Sequence, residues 1–264
     1  MFSQATSTAA VCLFSSSGSH PLQLCSAHLD ALLPTDSLVH LLNDATSSPP
    51  PLAPGVLASL PQLSDTDNHG LGRQLDQTVL HIQSPTLRTT FIHIPSTTED
   101  LGFKHRWMHI QARNLRKECS FEFGLKDALG RQGIVRCSTF QKTATLRVSG
   151  LKFPLLHLPF RFSEQSSGAL TAWSTIALDL HVLLSKFASS GLVADDNTHN
   201  IDVNDDSEAT SPTRRSQSSA PLPRGRYGHL SFVRVYATCR LRRIWLSEGP
   251  SQKTPWEFEL YGTN

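Results

Sequence analysis

Short segments in which apolar and polar residues alternate recur along most of this chain. Alternation with a period of two residues is typical of a strand that is buried on one face. The pattern predicts strands at residues 11–14, 78–82, 89–94, 107–112, 120–126, 133–138, 144–148, 155–162, 173–178, 230–238, 241–246 and 257–261. Many half-buried strands must face another sheet, as they do in a sandwich or a barrel. We expect an all-β, mainly antiparallel β-sandwich of about 10–12 strands.

One stretch follows a helical period instead. Asp179 is placed to cap the N-terminus of a helix, and Gly191 is placed to end it. The apolar stripe between them consists of Leu180, Leu183, Leu184 and Phe187. The spacing therefore predicts one principal helix near residues 179–190, packed against an edge or an end of the sandwich.

Two segments show neither the two-residue period of a strand nor the period of a helix. Residues 31–72 and 192–224 are rich in Ser, Thr, Asp and Pro, and such segments bury too little apolar surface to offset the entropy lost on ordering. We predict two long disordered insertions there, within a single domain over residues 1–264. A short apolar run in 31–42 is interpreted as a helical turn or two. Deleting 192–224 should leave the core folded, because the cost of closing a loop grows only logarithmically with its length.

Two strand-like runs before residue 247 place apolar and cationic side chains on opposite faces. The apolar parity holds Val233, Val235, Ala237, Cys239 and Leu241. The other parity holds Arg234, Arg240 and Arg242, with Arg243 at its margin. We expect these four arginines to form one exposed face that binds an acidic partner, so that reversing Arg240 and Arg242 to glutamate weakens binding but barely affects stability. The alternative is a solvated outer face that carries charge for solubility.

The distribution of charge supports an acidic partner. The formal net charge is only +2, but residues 1–72 contain no Lys or Arg and five Asp, and residues 191–210 contain six acids. The rest of the chain has all 24 Lys and Arg against 11 Asp and Glu, an excess of 13 positive charges. A field of that sign favours nucleic acid, an anionic membrane or an acidic protein surface.

Several motifs, taken in order, resemble the cilia- and flagella-associated protein 20 domain family. The resemblance begins at the first residues, where Met1-Phe2 leads to a Gly-Ser-x-Pro-Leu-Gln turn at residues 18–23, and it ends with a basic strand at residues 239–247. The matching segments are Gly18-Ser19-His20-Pro21-Leu22-Gln23-Leu24, Thr90-Phe91-Ile92-His93-Ile94-Pro95, Leu101-Gly102, Phe121-Glu122-Phe123, Pro154-Leu155-Leu156-His157-Leu158-Pro159, the strand from Trp173, the helix from Asp179, Tyr227-Gly228-His229-Leu230 and Cys239-Arg240-Leu241-Arg242-Arg243-Ile244-Trp245-Leu246-Ser247.

The resemblance implies a non-enzymatic structural protein of cilia and flagella, with no cofactor and no catalytic or metal-binding residue. Members of the family are small β-sandwiches that bind tubulin at the inner junction of doublet microtubules or in the wall of the centriole or basal body. The implied partners are tubulin and other inner-junction or centriolar scaffold proteins, and the implied location is the cytoskeleton of the cytoplasm, the axoneme, the basal body or the centriole. Tubulin presents an acidic surface, which suits the basic core.

The competing hypotheses are nucleic-acid binding and metal chemistry. Tyr236 and Trp245 beside the arginines resemble a stacking platform with phosphate contacts, although only Tyr236 shares their parity. A metal cluster could be sought among His105 and His109 on one strand and His81 and His93, which we expect on neighbouring strands. No His-x-His pair or interleaved acid accompanies these histidines, and this argues against a metal site.

The remaining signals concern location. The five cysteines contain no C-x-x-C pair, and Cys119, Cys137 and Cys239 lie in or beside strand-like runs, as expected of small buried residues in a reducing compartment. No run approaches the roughly 18 apolar residues that span a bilayer. The N-terminal segment also lacks the basic residues of a signal or transit peptide. We therefore expect a cytoplasmic protein without a membrane partner.

Overall fold

The structure is a computed structural model that describes residues 10–49, 77–162, 173–189 and 221–250. This part of the chain forms thirteen strands and one short α-helix, so the prediction of an all-β sandwich is confirmed. In chain order the strands are β1 (Ala10–Ser15), β2 (Ser26–His28), β3 (Leu38–Asn43), β4 (Thr78–Gln83), β5 (Phe91–Ile94), β6 (Trp107–Asn114), β7 (Ser120–Asp127), β8 (Gln132–Ser138), β9 (Thr145–Arg147), β10 (Leu155–Pro159), β11 (Trp173–Asp179), β12 (Tyr227–Tyr236) and β13 (Cys239–Ser247).

The strands are divided between two sheets. The first sheet has the order β11–β6–β13–β4–β3, and β1 also pairs with β13. The second sheet has the order β2–β5–β12–β7–β8–β10–β9. Every pair is antiparallel except β8 with β10. The strands β12 and β13 are therefore central in their sheets: β12 lies between β5 and β7, and β13 has β6 on one side and β4 and then β1 on the other.

The core lies between the two sheets. Most strands contribute alternate apolar side chains to it, as the two-residue period predicted, and one continuous cluster joins both sheets. From the first sheet come Leu80, Ile82, Met108, Ile110, Ala112, Leu241, Ile244 and Leu246, and from the second come Ile92, Ile94, Phe121, Phe123, Leu125, Val135, Val233 and Val235. Burying each large side chain of this kind contributes about 1.5–3 kcal/mol relative to leaving it exposed.

The chain passes from one sheet to the other between β12 and β13. Ala237 and Thr238 form this corner and are both buried. The inward positions continue through the corner without a break, from Val235 through Ala237 to Cys239, because both strands face the same core from opposite sides. The outward positions of β12 and β13 consequently point away from each other.

A short helix closes the core at one end. The helix α1 (Leu180–Ser185) is followed by a 3-10 turn over Lys186–Ala188, and Leu180, Leu183, Leu184 and Phe187 all join the core. The carboxylate of Asp179 accepts hydrogen bonds from the backbone N–H groups of His181 and Val182. The predicted cap and apolar stripe are thus confirmed, whereas Gly191 lies outside the described residues.

Removing the cap should weaken the end of the sandwich measurably. Asp179→Ala is expected to lower the free energy of unfolding by about 1 kcal/mol, because two backbone donors lose their acceptor. The ion pair that Asp179 makes with Arg106 adds little, since the side chain of Arg106 is half exposed. Thermal denaturation of wild type and variant checks this, and Asp179→Asn, which retains a capping oxygen, should lose less.

Acid should remove the contribution of Asp179 to the free energy of unfolding. Burial opposes ionisation of Asp179, but hydrogen bonds from Arg106 and from the helix backbone outweigh it and hold its pKa below the usual value. A carboxyl whose pKa is lowered by folding stabilises above its unfolded pKa of about 3.9, and this contribution is lost as pH falls through the folded pKa. An unchanged difference between wild type and Asp179→Ala at pH 7 and pH 2.5 would contradict this assignment.

Two strands were not predicted. β2 is only three residues long, and β3 occupies part of the apolar run that we interpreted as helical. The prediction of disorder for the first insertion is therefore wrong over Leu38–Asn43, because β3 pairs along its length with β4. Residues 50–72 of that segment, residues 192–220 of the second insertion and the strand predicted at 257–261 lie outside the described residues.

The described residues also include no helix that is long and apolar enough to cross a membrane.

Candidate partner-binding faces

The structure separates the four candidate arginines. Arg234 lies on β12 and points outward from the second sheet, whereas Arg240, Arg242 and Arg243 lie on β13 in the first sheet. The outer faces of a sandwich are turned away from each other, so these residues do not form one face. The expectation of a single cationic face is wrong, because the alternation of residues runs unbroken through the corner between the two sheets.

The first sheet holds its arginines around a buried carboxylate. Arg240 Nη1 donates to Asp44 Oδ1 at 2.7 Å, and Arg113 Nη1 donates to the same oxygen at 2.9 Å. Trp173 Nε1 donates to Asp44 Oδ2 at 2.9 Å, so both carboxylate oxygens are used. Arg240 also donates to the carbonyl oxygen of Asp44 and to Ser47 Oγ. The loop that follows β3 is therefore fixed over the outer face of the first sheet.

The two other arginines of β13 are satisfied in the same way. Arg242 donates to the side-chain oxygens of Gln77 and Gln111 at 2.9 and 3.0 Å, and Arg243 donates to Ser15 Oγ at 3.2 Å. Burial, together with the charge of Arg243, lowers the pKa of Arg242 to about 10. Arg240 is 8% exposed and the other two are 6% exposed. These three side chains are internal, so the prediction that they belong to an exposed binding face is wrong, and so is the alternative of a solvated outer face.

The second sheet has a carboxylate of its own between two arginines. Glu122 accepts from Arg136 Nε at 2.7 Å, from Arg234 Nη1 at 3.3 Å and from the hydroxyl of Tyr236 at 2.9 Å. Burial acts to lower the pKa of Arg136, but the charge of Glu122 outweighs it and the pKa is raised. Burial and then the charge of Glu122 raise the pKa of Tyr236. Unlike those of β13, the arginine side chains here remain partly exposed, Arg234 at 32% and Arg136 at 35%.

Aromatic rings surround Arg234. Its guanidinium carbon lies 4.7 Å from the ring centroid of Phe232 and 5.6 Å from that of Phe91. His93 stacks on Phe232 at 5.4 Å, and His28 stacks on Phe91 at 4.4 Å. Cation–π contacts of this kind restrict a side chain that would otherwise sample many rotamers.

A glycine makes room for this arrangement. A Cβ atom on Gly124 would lie 2.4 Å from Phe232 Cε1 and 2.2 Å from Ser231 Oγ, so no side chain fits beneath the ring. We call this surface the Arg234 face, and it comprises His28, Phe91, His93, Glu122, Arg136, Phe232, Arg234 and Tyr236.

The aromatic platform expected for nucleic acid is not formed by the predicted residues. Tyr236 lies on the second sheet and Trp245 on the first, and both are buried. Trp245 stacks against His109 with ring centroids 4.8 Å apart. Tyr236 is held by Glu122. The two rings therefore cannot receive successive bases of one strand.

The histidines are dispersed in the same way. His81 on β4 and His93 on β5 belong to different sheets, so the expectation that they lie on neighbouring strands is wrong. His109 Nε2 is 2.8 Å from Ser247 Oγ, and burial lowers the pKa of His109. Within the described ranges, no group of three or more His, Cys, Asp or Glu side chains is placed to hold a metal ion.

The cysteines are unpaired thiols. Cys119, Cys137 and Cys239 are buried, as predicted, and Cys12 is exposed. Burial raises the pKa of Cys119 and Cys137 to about 12, so neither is a thiolate at neutral pH.

Sequence analysis missed both buried carboxylates. Asp44 was assigned to an insertion, and nothing local connects it with Arg240, which is 196 residues away. Glu122 could have been found, because a hairpin turning over residues 127–131 sets Glu122 opposite Arg136, as observed. A strand position that alternates with Phe121 and Phe123 is also expected to face outward.

Comparison with known proteins completes the assignment. The family model described as the CFA20 domain matches residues 68–203, which include all strands from β4 to β11 and the helix α1. A comparison with curated proteins found no match. The match covers more than half of the chain and agrees with the sandwich that the structure shows. The chain therefore belongs to the CFA20 domain family, a structural family associated with cilia and flagella.

Proposed function

We propose that this protein is a non-enzymatic structural component of cilia or flagella that binds tubulin. Its place would be the inner junction of doublet microtubules or the wall of the centriole or basal body, beside other scaffold proteins, where it would support assembly, stability and motility of the axoneme. The observation that carries the proposal is the match of the CFA20 domain to residues 68–203.

The charge of the chain supports tubulin as the partner. Outside residues 1–72 and 191–210 there is an excess of 13 basic over acidic residues, and tubulin presents an acidic surface. The structure modifies this argument, because Asp44, from the first of these segments, is buried among arginines of the core. The positive charge that is available for binding must therefore come from other residues than Arg240, Arg242 and Arg243.

The architecture supports a structural role as well. A two-sheet sandwich with one continuous core presents broad outer faces whose side chains are fixed by the strands. Such faces can be complementary to a regular lattice without a large rearrangement, since preformed surfaces avoid the entropy cost of ordering on binding.

Co-sedimentation with microtubules tests the proposal. The full chain is expected to pellet with taxol-stabilised microtubules and to dissociate progressively as NaCl rises from 50 to 400 mM, because salt screens exposed charges over about 10 Å at 0.1 M. Actin filaments serve as the control, since they are also acidic polymers. Full-chain protein that stays in the supernatant at every microtubule concentration would refute tubulin binding.

Localisation provides an independent check. A tagged copy expressed in ciliated cells should concentrate in the axoneme, the basal body or both. A signal confined to cytosol or nucleus would contradict the proposal even if the purified protein pelleted with microtubules.

A further inference from the structure

The two sheets carry the same chemical arrangement with different exposure. In each, a buried carboxylate lies between two arginines on the outer face: Asp44 in the first sheet and Glu122 in the second. Asp44 belongs to the loop after β3, so the loop itself covers the arginines that it binds. Glu122 lies within β7, in the same layer as Arg234 and Arg136. The outer sides of these two arginines are therefore not covered by their own counter-ion.

The guanidinium of Arg234 is positioned to make a second ion pair in addition to the one with Glu122. Its Nη1 donates to Glu122, while 32% of its side chain remains exposed. The rings of Phe232 and Phe91 fix the guanidinium plane, and β12 is a central strand. A preorganised guanidinium loses less conformational entropy on binding than a free one, and its planar fork matches a carboxylate.

The composition of the Arg234 face is that of an interface rather than of a solvated surface. Its accessible side chains are arginine, histidine and Phe91, with no lysine, whereas Phe232 and Tyr236 are buried and its single acid is 2% exposed. Arginine and aromatic residues are enriched in the buried centres of protein interfaces, whereas Lys, Glu and Asp are depleted there. With Arg136 and Arg234 against Glu122, the face carries one net positive charge before any histidine is protonated.

We propose that the Arg234 face is a docking site for a carboxylate-bearing segment of an acidic protein, with Arg234 as its anchor. Arg234 and Arg136 receive carboxylates of the partner, and the partly exposed rings of Phe91 and His93 receive its aliphatic stems. This inference rests on the proposed function, in which the acidic partner is tubulin, and it assigns the contact to the second sheet. The arginines of β13 take no part, because they are buried under the loop after β3 and among neighbouring polar side chains of the first sheet.

A peptide titration tests the chemistry of the site. A fluorescein-labelled ten-residue polyglutamate peptide should bind the full chain in a fluorescence-anisotropy titration, and the matched polyglutamine peptide should not. Arg234→Gln is expected to weaken binding about tenfold, as loss of an anchoring arginine does. Arg116→Gln is the control, because Arg116 is exposed in the connection between β6 and β7 and lies on neither sheet. Equal affinity of wild type and Arg234→Gln would overturn the proposal.

A measurement on wild-type protein guards against a folding defect in the variant. His28 and His93 stack on the rings of the face, whereas His40 lies on β3 in the first sheet. Addition of polyglutamate should shift the ring-proton NMR resonances of His28 and His93 and leave those of His40 unchanged. Shifts confined to His40, or absent from all three histidines under conditions in which the peptide binds, would place the site elsewhere and overturn the proposal.

Other occupants give distinguishable outcomes. A single-stranded oligonucleotide that displaces the peptide and binds more tightly would assign the face to nucleic acid. Peptide binding that appears only after the six acids of residues 191–210 are changed to amides would assign the face to the chain's own acidic segment. Either result would overturn an acidic protein as the occupant.

Microtubule binding separates this inference from the function on which it rests. If wild type pellets with microtubules and Arg234→Gln pellets about tenfold less at equal salt, the result supports both tubulin binding and docking at the Arg234 face. If the two pellet equally, tubulin binding stands and the Arg234 face is excluded from it. If wild type binds polyglutamate through Arg234 but never pellets, the docking chemistry stands and tubulin binding fails.

Discussion

Replacing Arg240 by glutamate is expected to destroy most of the stability of this protein. Among the described residues, the substitution leaves only Arg113 as a cation on the carboxylate of Asp44. It also adds a second negative charge there, where the Asp44 side chain has no solvent exposure. Breaking a buried ion pair by removing one partner costs about 3–5 kcal/mol, and like charges at such a site cost more. A domain has only about 5–15 kcal/mol in total. Thermal denaturation and the yield of soluble protein measure the effect.

The controls distinguish charge at this position from charge in general. Arg234→Glu removes a partly exposed partner of Glu122 and should cost clearly less, while Arg116→Glu should change stability by no more than about 0.5 kcal/mol. The pair Asp44→Ala with Arg240→Met should recover part of the loss, because apolar replacements of a buried ion pair are often tolerated. An Arg240→Glu protein that melts within 2 °C of wild type would show that the Asp44 cluster does not hold the first sheet.

The second large effect is expected from Asp127→Ala. One oxygen of this buried carboxylate accepts from the N–H groups of Leu129 and Arg131, and the other accepts from Arg131 Nε and from the N–H groups of Arg224 and Gly225. It thus closes the hairpin between β7 and β8 and holds the chain where it enters β12. Removing the acceptor of these five partly buried hydrogen bonds should cost about 2–4 kcal/mol. Urea denaturation at pH 7 measures the loss.

The loss of stability caused by Asp127→Ala should depend on pH. Burial alone would raise the pKa of Asp127, but its hydrogen bonds outweigh burial and hold the pKa below the usual value. The stabilisation is therefore complete above the unfolded pKa of about 3.9 and is lost as pH falls through the folded pKa. The difference in free energy of unfolding between wild type and Asp127→Ala should become smaller as pH approaches 2.5. Asp36→Ala, at an exposed position, should show little effect at any pH.

Much of the fold could be predicted because most strands are short and alternate apolar with polar residues. Eleven predicted strands are observed, and the helix begins where Asp179 caps it. β3 was misassigned because a short apolar run looks alike in a helix and in a strand, and its pairing with β4 decides the matter. Alternation reports only which side chains face the core. Alternation does not show which sheet a strand belongs to, so Arg234 and Arg240 appeared to share a face.

The site was harder to predict for a related reason. Exposure of an arginine depends on whether a distant segment covers it, and Asp44 reaches Arg240 across 196 residues of chain. Composition predicted a disordered insertion instead, since the segment around Asp44 is acidic and rich in Ser and Pro. Local pairings such as Glu122 with Arg136 follow from the register of a hairpin, whereas contacts between a loop and the face of another strand do not.

The position of β12 and β13 has a consequence for biosynthesis. They are the last two strands of the described chain, yet each occupies the middle of its sheet. A ribosome that has released residues up to 220 has therefore supplied β6 without β13 beside it, and β5 and β7 without β12 between them. Neither sheet can close until these two strands have been synthesised, and unpaired strand edges before that point invite aggregation. The nascent chain should depend on chaperones until residues 227–247 emerge.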